Sequence, residues 1–137
     1  GSPVSATWRG YPPGMHVELA LDVNDPARMV AFWSQVLGYA VEDEGRFDAP
    51  DRVYWSLVDP ADRGPRLVIQ RVPEPVAAKT RVHIDVHVPD IEAAAEAAVD
   101  LGATRIDSEP VTEVGAAWIR LEDPEGNIFC FVRERRP

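Results

Sequence analysis

Hydrophobic and polar residues alternate along two short stretches of the chain. In residues 15–23, apolar side chains occupy every second position, with His16, Glu18, Ala20 and Asp22 between them. In residues 81–90, valine and isoleucine alternate with His83, Asp85 and His87. Strict alternation predicts a β-strand, because successive side chains point to opposite faces of a sheet. Both stretches are therefore predicted to be strands with one apolar face beneath a helix and one polar face lining a cavity.

A helical pattern follows each of these strands. Asn24 or Asp25 can cap the first helix, with Pro26 near its first position and Gly38 at its end. Its buried stripe, spaced i, i+3, i+4, i+7 and i+8, consists of Met29, Phe32, Trp33, Val36 and Leu37. Asp90 can cap the second helix, and Gly102 fits its end. The second helix has a stripe of Ile91, Ala94, Ala95, Ala98 and Val99.

Shorter patterns predict the remaining strands and loops. Strands are predicted at residues 39–44, 53–58, 66–72, 103–106, 115–121 and 128–132. Loops are predicted at residues 46–52, 59–65 and 107–113, and a tight turn without a ligand at residues 123–127. The stretch 73–80 has two prolines and no periodicity, which is typical of a linker.

The two halves of the chain repeat one order of elements: strand, helix, strand, strand, strand. The matched positions are Glu18 with His83 (shift 65), Leu37-Gly38 with Leu101-Gly102 (shift 64), Asp59-Pro60 with Asp123-Pro124 (shift 64), and Gln70 with Cys130 (shift 60). A near-constant shift predicts a duplicated module rather than chance similarity. We predict an irregular lead-in at 1–14 that starts with a cloning scar, a first βαβββ module at 15–72, a linker at 73–80 and a second module at 81–133, forming one α+β domain.

The composition of the chain limits the kinds of partner that this domain is expected to bind. The chain has 137 residues and a formal net charge of -9, with 14 basic and 23 acidic residues. This balance argues against nucleic acid and anionic membranes, which both select a basic surface. No apolar run reaches the roughly 20 residues of a membrane span, and the single cysteine excludes an internal disulfide. We predict a cytoplasmic protein without a secretion signal.

The duplicated module resembles the vicinal oxygen chelate superfamily, which contains glyoxalases, bleomycin resistance proteins and dioxygenases, and in particular its glyoxalase-like domain branch. The motifs that carry this resemblance are Asp25-Pro26-Ala27-Arg28 through Phe32-Trp33, Leu37-Gly38-Tyr39, Gln70 to Pro75, Lys79 to Val86, and Asp123-Pro124-Glu125-Gly126-Asn127. The resemblance implies two tandem modules that form a curved, partly open barrel around a cleft. It also implies a homodimer, in which a partner subunit would cover Trp8 and Tyr11 of the lead-in.

The resemblance further implies a set of metal positions. Metal-dependent members hold their ion at four inward positions, which fall here on Glu18, Gln70, His83 and Cys130. Glu18, Gln70 and His83 offer donors for Zn²⁺, Mn²⁺, Fe²⁺ or Ni²⁺, but the metal-dependent isomerases generally have a carboxylate at the Cys130 position. Because Gln70 is neutral and a buried thiol is mostly protonated, we predict that no ion is tightly bound.

The polar face of residues 81–90 supplies further candidate residues. His83 is either a metal ligand or a hydrogen-bonding histidine that braces the cleft. Asp85, on the same face, can orient an imidazole or act as a base, and His87 is predicted at the rim of the cleft.

Four other side chains are candidates for binding a ligand. Trp118 and Trp55 either line the cleft and stack on a planar ligand or pack in the core. Arg120, in register with Trp118, can meet an anionic group. Cys130 lies between two phenylalanines and fits a small buried hydrophobic residue as well as a ligand contact.

Three classes of function remain open: an enzyme, a binding protein, and a structural or regulatory partner in which the cleft would be collapsed. In the first, the protein is an isomerase, lyase or cyclase that removes a proton next to a carbonyl group of a small metabolite. Glu18 or Asp85 would act as the base, and His83 with Gln70 would stabilise the enolate. In the second, it sequesters an aromatic or cationic small molecule without catalysis. Glyoxalase I activity itself is not expected, because Cys130 stands where that reaction needs a carboxylate.

Overall fold

The first module is a four-stranded sheet covered by one helix. The computed structural model describes residue 14, residues 16–42 and residues 46–134, so Trp8 and Tyr11 lie outside the described residues. The elements of this module are β1 (Glu18–Val23), α1 (Pro26–Leu37), β2 (Ala40–Val41), β3 (Tyr54–Val58) and β4 (Arg66–Arg71). They form one sheet in the order β1-β4-β3-β2, in which β1 and β4 are parallel.

The second module repeats this arrangement with one additional strand. Its elements are β5 (Ile84–His87), α2 (Ile91–Asp100), β6 (Thr104–Arg105), β7 (Val111–Glu113), β8 (Ala116–Glu122) and β9 (Ile128–Glu134). The sheet order is β5-β9-β8-β6, with β5 and β9 parallel and β7 paired to β8. The predicted α+β fold of two βαβββ modules is therefore confirmed, and the two sheets leave the barrel partly open.

Strand β7 corrects the predicted loop at residues 107–113. Its three residues pair antiparallel with Ala116–Trp118 through a two-residue turn at Val114 and Gly115. Both turn residues have positive φ angles, 47° and 80°, as the turns of tight β-hairpins require. The sequence hides this hairpin, because a β-branched valine is disfavoured at positive φ.

The two helices begin and end at the predicted signals. The Asp25 carboxylate accepts a hydrogen bond from the backbone N–H of Arg28, and the Asp90 carboxylate accepts one from Ala93. Gly38 ends α1 in the left-handed conformation, with a φ of 67°. Within the part of the chain that the structure describes, no helix has both the length and the apolar character needed to cross a membrane.

Each sheet buries one face beneath its helix and turns the other face away from the core. In β4, Leu67 and Ile69 are buried, whereas Val68 and Gln70 are partly exposed. In β8, the buried residues are Ala117, Ile119 and Leu121, which alternate with more exposed polar or aromatic residues. The polar faces therefore carry the side chains that can meet a ligand.

The two modules are joined through the start of α1 and the turn at residues 123–127. The Glu125 carboxylate accepts hydrogen bonds from the backbone N–H groups of Asn24 and Asp25, at 2.8 and 2.7 Å. Phe129 packs edge-on against Trp33 of α1, with ring centroids 5.0 Å apart. A carboxylate from the second module thus stabilises the N-terminus of the helix of the first.

Candidate functional site

Three side chains of the second sheet bring potential metal-ligating and proton-binding atoms together. His83 Nδ1 lies 3.0 Å from Asp85 Oδ1. Cys130 lies directly across from Asp85 in the β5–β9 ladder. The ligating atoms of these three residues all lie within 4.8 Å of one another. We call this set the His83–Asp85–Cys130 group.

Cys130 is the buried member of the group. It is 6% exposed, while about 40% of the His83 and Asp85 side-chain surface remains accessible (42% and 45%). Burial raises the pKa of the Cys130 thiol to about 11, and the negative charge of Asp85 and its hydrogen bond add to this shift. At neutral pH, and with no metal bound, the thiol is therefore protonated and donates to Asp85.

Arg120 extends the same row of the sheet on the other side of Cys130. It pairs with Cys130 in the β8–β9 ladder. Its guanidinium group donates two hydrogen bonds to the Asp107 carboxylate, at 3.0 Å from Nε and 2.8 Å from Nη2. The Arg120 backbone N–H donates a third at 2.9 Å. Asp107, a residue that the sequence did not single out, thus fixes the orientation of Arg120.

Replacing Asp107 with asparagine is expected to lower the free energy of unfolding by about 1 kcal/mol at neutral pH, as for a bidentate ion pair near the surface. Hydrogen bonds from Arg120 hold the pKa of the Asp107 carboxyl below its ordinary value. A lowered pKa in the folded state contributes stability above the unfolded value of about 3.9, and this contribution is lost as the pH falls through the folded value.

Urea unfolding of the wild type and of Asp107→Asn, at neutral pH and in steps below pH about 4, measures this effect. The difference between the two proteins should shrink as the pH falls. A difference that stays constant down to the lowest pH would show that the Asp107 charge does not stabilise the fold.

A second row on this face is mainly apolar. His87, Val132, Trp118 and Val111 follow one another across β5, β9, β8 and β7. Trp118 is partly exposed and lies between two valines, so one wall of the polar face is flat and apolar. Trp118 is therefore not among the fully buried residues of the core.

Trp55 was also predicted to contact a ligand, but the structure buries it beneath the first sheet. It is 1% exposed and stacks on Phe47, with ring centroids 5.5 Å apart. The guanidinium carbons of Arg52 and Arg71 lie 5.1 and 5.3 Å from its ring centroid. In β3 the odd-numbered residues face the helix, which explains why Trp55 packs in the core rather than in the cleft.

The first sheet presents Glu18 and Gln70 on its polar face, in surroundings of their own. Glu18 lies 3.6 Å from Arg66 and 3.6 Å from His16. Gln70 pairs in register with Asp22 and Tyr54. Among the described residues, Glu18 does not belong to the His83–Asp85–Cys130 group.

The strand ladders also correct the alignment of Gln70 with Cys130. A shift of 65 residues from β1 to β5 matches Ala20 with Asp85. In the ladders, Ala20 pairs with Val68 and Asp85 pairs with Cys130. Val68, at a shift of 62 residues (68 to 130), is therefore the counterpart of Cys130 in the ladders. The sequence alignment missed this difference because the turns before β4 and β9 differ in length.

A divalent metal ion is the cofactor that the resemblance implies. The donor atoms of the side chains decide whether this chain could bind such an ion. His83 and Cys130, two of the four predicted positions, lie together in one group. An imidazole nitrogen, a carboxylate oxygen and a sulfur are ligands that Zn²⁺ accepts. The donor set of the second sheet therefore fits a divalent ion.

Comparisons with known proteins support the fold. The family model described as "Glyoxalase-like domain" matches residues 18–132. No curated protein matches the chain. A glyoxalase family protein from Bacillus cereus superposes with a TM-score of 0.70 at 15% identity, covering 93% of this chain and 99% of its own.

Two further solved structures have known names. A point mutant of the fosfomycin resistance protein FosX from Listeria monocytogenes, complexed with Mn(II) and 1S,2S-dihydroxypropylphosphonic acid, has a TM-score of 0.67 at 14% identity over 86% of this chain and 88% of its own. TioX from Micromonospora sp. ML1 has a TM-score of 0.61 at 21% identity over 88% and 99%. At these identities the likeness concerns the fold alone.

Proposed function

The chain belongs to the glyoxalase-like domain family, and we propose on this basis that it is an enzyme of the lyase or isomerase type acting on a small organic molecule. The substrate binds against the polar face of the second sheet. The observation that carries this proposal is the convergence of His83, Asp85 and Cys130 within 4.8 Å on an accessible sheet face. Clusters of titratable groups beside a fixed charge are typical of reaction centres.

A structural neighbour supports the class of ligand. FosX, which shares the fold, is named as a complex with Mn(II) and a small phosphonic acid. For the present chain, His83 and Cys130 are the residues that would hold a divalent ion. Such an ion would act as a Lewis acid that polarises a substrate oxygen.

The side chains around this centre position the substrate. Arg120, held by Asp107, places a fixed positive charge beside Cys130, where it can orient an anionic group. Trp118 and its valine neighbours offer a flat apolar surface for the carbon skeleton. Binding energy at these two rows would hold the reacting carbon in one orientation.

We assign the proton acceptor of this reaction to Glu18. It stands in the first module at the position equivalent to His83, and 42% of its side-chain surface is accessible. Arg66 lies 3.6 Å from its carboxylate. Asp85, the other candidate base, is engaged by His83 at 3.0 Å and lies opposite Cys130 in the ladder. Proton removal next to a polarised carbonyl would then pass to Glu18.

A screen of small carbonyl compounds and phosphonic acids tests the proposal, with thermal stabilisation to find ligands and product detection to find turnover. For a compound that is turned over, His83→Ala and Glu18→Gln should each lower kcat by a factor of about 10² or more, as for loss of an acid–base residue. Trp118→Ala should mainly raise KM. Glu96→Gln, on the exposed side of α2, is the control and should behave as the wild type.

A binding protein is the second candidate, and the apolar row with His87 at its end favours it. Sequestration needs shape and stacking rather than a tuned base, and a net charge of -9 suits an aromatic cation. The same variants separate the two functions. If Trp118→Ala abolishes ligand binding while His83→Ala and Glu18→Gln leave it intact and no product forms, the protein is a binding protein.

Glyoxalase I activity is expected to be absent. That reaction needs a carboxylate to move a proton between adjacent carbons, and the position that resembles it is Cys130, which has no carboxylate to shuttle the proton. The assay uses methylglyoxal and glutathione with added Ni²⁺, Zn²⁺ or Mn²⁺. Turnover above about 10 s⁻¹, the median for enzymes, would contradict the expectation, and activity gained only in Cys130→Glu would support its reason.

We also expect a homodimer. Large apolar side chains are exposed just before the edge strands of both sheets, with Val17 at 70% and Val82 at 77%, and a partner subunit would cover them. Light scattering after gel filtration measures the mass. A single species near 15.1 kDa over a wide range of concentration would contradict a dimer.

A further inference from the structure

We propose that the divalent ion is held by His83, Asp85 and Cys130, so that the second module supplies every protein ligand and the first module supplies none. This inference shares its location with the proposed function, but metal binding is measured without any substrate. It departs from the sequence-based prediction that no ion is tightly bound, and from the positions implied by the resemblance, which include Glu18 and Gln70 of the first module.

The spacing of the three donors suits one ion. His83 Nδ1 and Asp85 Oδ1 are 3.0 Å apart. Two nitrogen or oxygen ligands at about 2.0–2.2 Å from Zn²⁺ are themselves about 3.0–3.5 Å apart at angles of roughly 90–110°. One ligating atom each of His83 and Asp85 and the Cys130 sulfur lie within 4.8 Å of one another, so a change of about 1 Å brings the sulfur to the roughly 3.5 Å expected for a thiolate.

The backbone fixes these donors in place. His83 directly precedes β5, and Asp85, two residues further on, lies within it. Cys130 stands opposite Asp85 on the neighbouring strand. Donors held by adjacent strands of a sheet lose little conformational freedom when they bind an ion.

The repeat itself provides the comparison. The positions of the first module equivalent to His83, Asp85 and Cys130 are Glu18, Ala20 and Val68, by the pairing of the ladders. Only one of these three carries a metal-binding side chain. That residue, Glu18, lies beside the Arg66 cation at 3.6 Å, which opposes a second cation. The complete donor set therefore occurs in the second module.

The donors also indicate the metal. A thiolate, an imidazole and a carboxylate together suit Zn²⁺ better than Mg²⁺ or Ca²⁺, which prefer oxygen ligands alone. On binding, the Cys130 thiol releases its proton to solvent and the sulfur becomes a ligand. Three protein ligands leave a coordination position for water or substrate, as in catalytic zinc sites.

The test titrates metal into protein first freed of ions by dialysis against a chelator. Zn²⁺ should bind at one equivalent by calorimetry, and Co²⁺ should show the near-ultraviolet band of a thiolate–cobalt bond. His83→Ala and Asp85→Asn should each weaken Zn²⁺ binding at least tenfold, and Cys130→Ser should remove the thiolate band. Glu18→Gln is the matched control from the first module and should bind Zn²⁺ as tightly as the wild type. Circular dichroism of each variant verifies the fold.

The outcomes separate this inference from the proposed function. Full affinity in Asp85→Asn, or loss of binding in Glu18→Gln, would overturn the one-module site in favour of ligands from both modules. Failure of the wild type to bind Zn²⁺ and Co²⁺ would overturn the metal site outright. It would not contradict the proposed enzyme, whose turnover and dependence on His83 are measured in the substrate screen. Conversely, a wild type that binds Zn²⁺ as expected but turns over no compound would support the metal site and contradict the enzyme.

Discussion

Replacing Asp123 with alanine is expected to lower the free energy of unfolding by about 3–5 kcal/mol, because a buried carboxylate with several donors is removed. Asp123 is 2% exposed. It accepts hydrogen bonds from the Trp33 indole at 3.1 Å, from the Asn127 amide, and from the backbone N–H groups of Glu125 and Asn127. Alanine would leave buried donors of two side chains unpaired, each at a cost of about 1–3 kcal/mol.

Thermal unfolding followed by circular dichroism measures this loss, and a decrease in Tm on the order of 10 °C is expected for a chain of this size. The repeat supplies the matched control. Asp59 starts the equivalent turn of the first module, where its carboxylate accepts from the backbone N–H groups of Ala61, Arg63 and Gly64, which lower its pKa. Asp59→Ala should therefore destabilise the protein less, and equal losses in the two variants would contradict the role of the Trp33 contact.

The turn at Asp123 could be predicted from the sequence, but its contact with the other module could not. Aspartate and proline at the start of a four- or five-residue stretch with glycine predict a turn from local chemistry alone. The bond to Trp33 spans 90 residues of chain. No local pattern encodes such a contact, so the stretch was predicted correctly as a turn, and its part in joining the modules became visible only in the structure.

Most strands and both helices were predictable because local sequence patterns specify them. Strand β7 was not predictable because no local pattern specifies it. Alternation in residues 15–23 and 81–90 and the helix caps at Asp25 and Asp90 are short-range signals that burial reinforces. Strand β7 depends instead on pairing with β8 through a turn with valine at positive φ, where local preference and final structure disagree. The tertiary pairing overrides that preference.

Some residues of the candidate site were likewise predictable from local patterns, and others depended on contacts between strands. Alternation placed His83 and Asp85 on one face, because period-two geometry is local. Which residue stands opposite Asp85 depends on the register between β5 and β9, and register is set by turns that differ in length between the modules. The sequence alignment consequently took Gln70 as the partner position of Cys130, whereas the ladders give Val68. Asp107 was missed because its contact with Arg120 also crosses between strands.

The comparison of the two modules suggests a division of roles. The first module contributes a helix whose aromatic side chains pack on the second module. The second module carries the His83–Asp85–Cys130 group and the fixed pair of Asp107 and Arg120. Duplication leaves the polar face of each copy free to acquire its own side chains, because each sheet needs only its apolar face for stability. The polar faces are then free to differ, as Ala20 and Asp85 do.

Replacing Phe129 with alanine is expected to cost about 3–5 kcal/mol, the usual range for a buried phenylalanine. Phe129 is fully buried, and its ring contacts Phe32, Trp33 and Phe131 at centroid distances of 5.9, 5.0 and 5.5 Å. Two of these neighbours belong to the first module, so the substitution removes contacts within and between modules together. Because the core is shared, both modules should still unfold in one transition, at a lower denaturant midpoint.

Urea unfolding followed in parallel by tryptophan fluorescence and circular dichroism tests this expectation. Phe129→Leu, which retains much of the apolar volume but loses the edge-on ring contacts, is the matched control and should cost less than about 1.5 kcal/mol. Coincident transitions with an unchanged slope in Phe129→Ala would support one cooperative domain. Two separated transitions in the wild type would show that the modules unfold independently. A loss of unfolding free energy below about 1 kcal/mol in Phe129→Ala would contradict the importance of this core contact, because deleting a buried aromatic ring leaves a cavity that the surrounding side chains only partly fill.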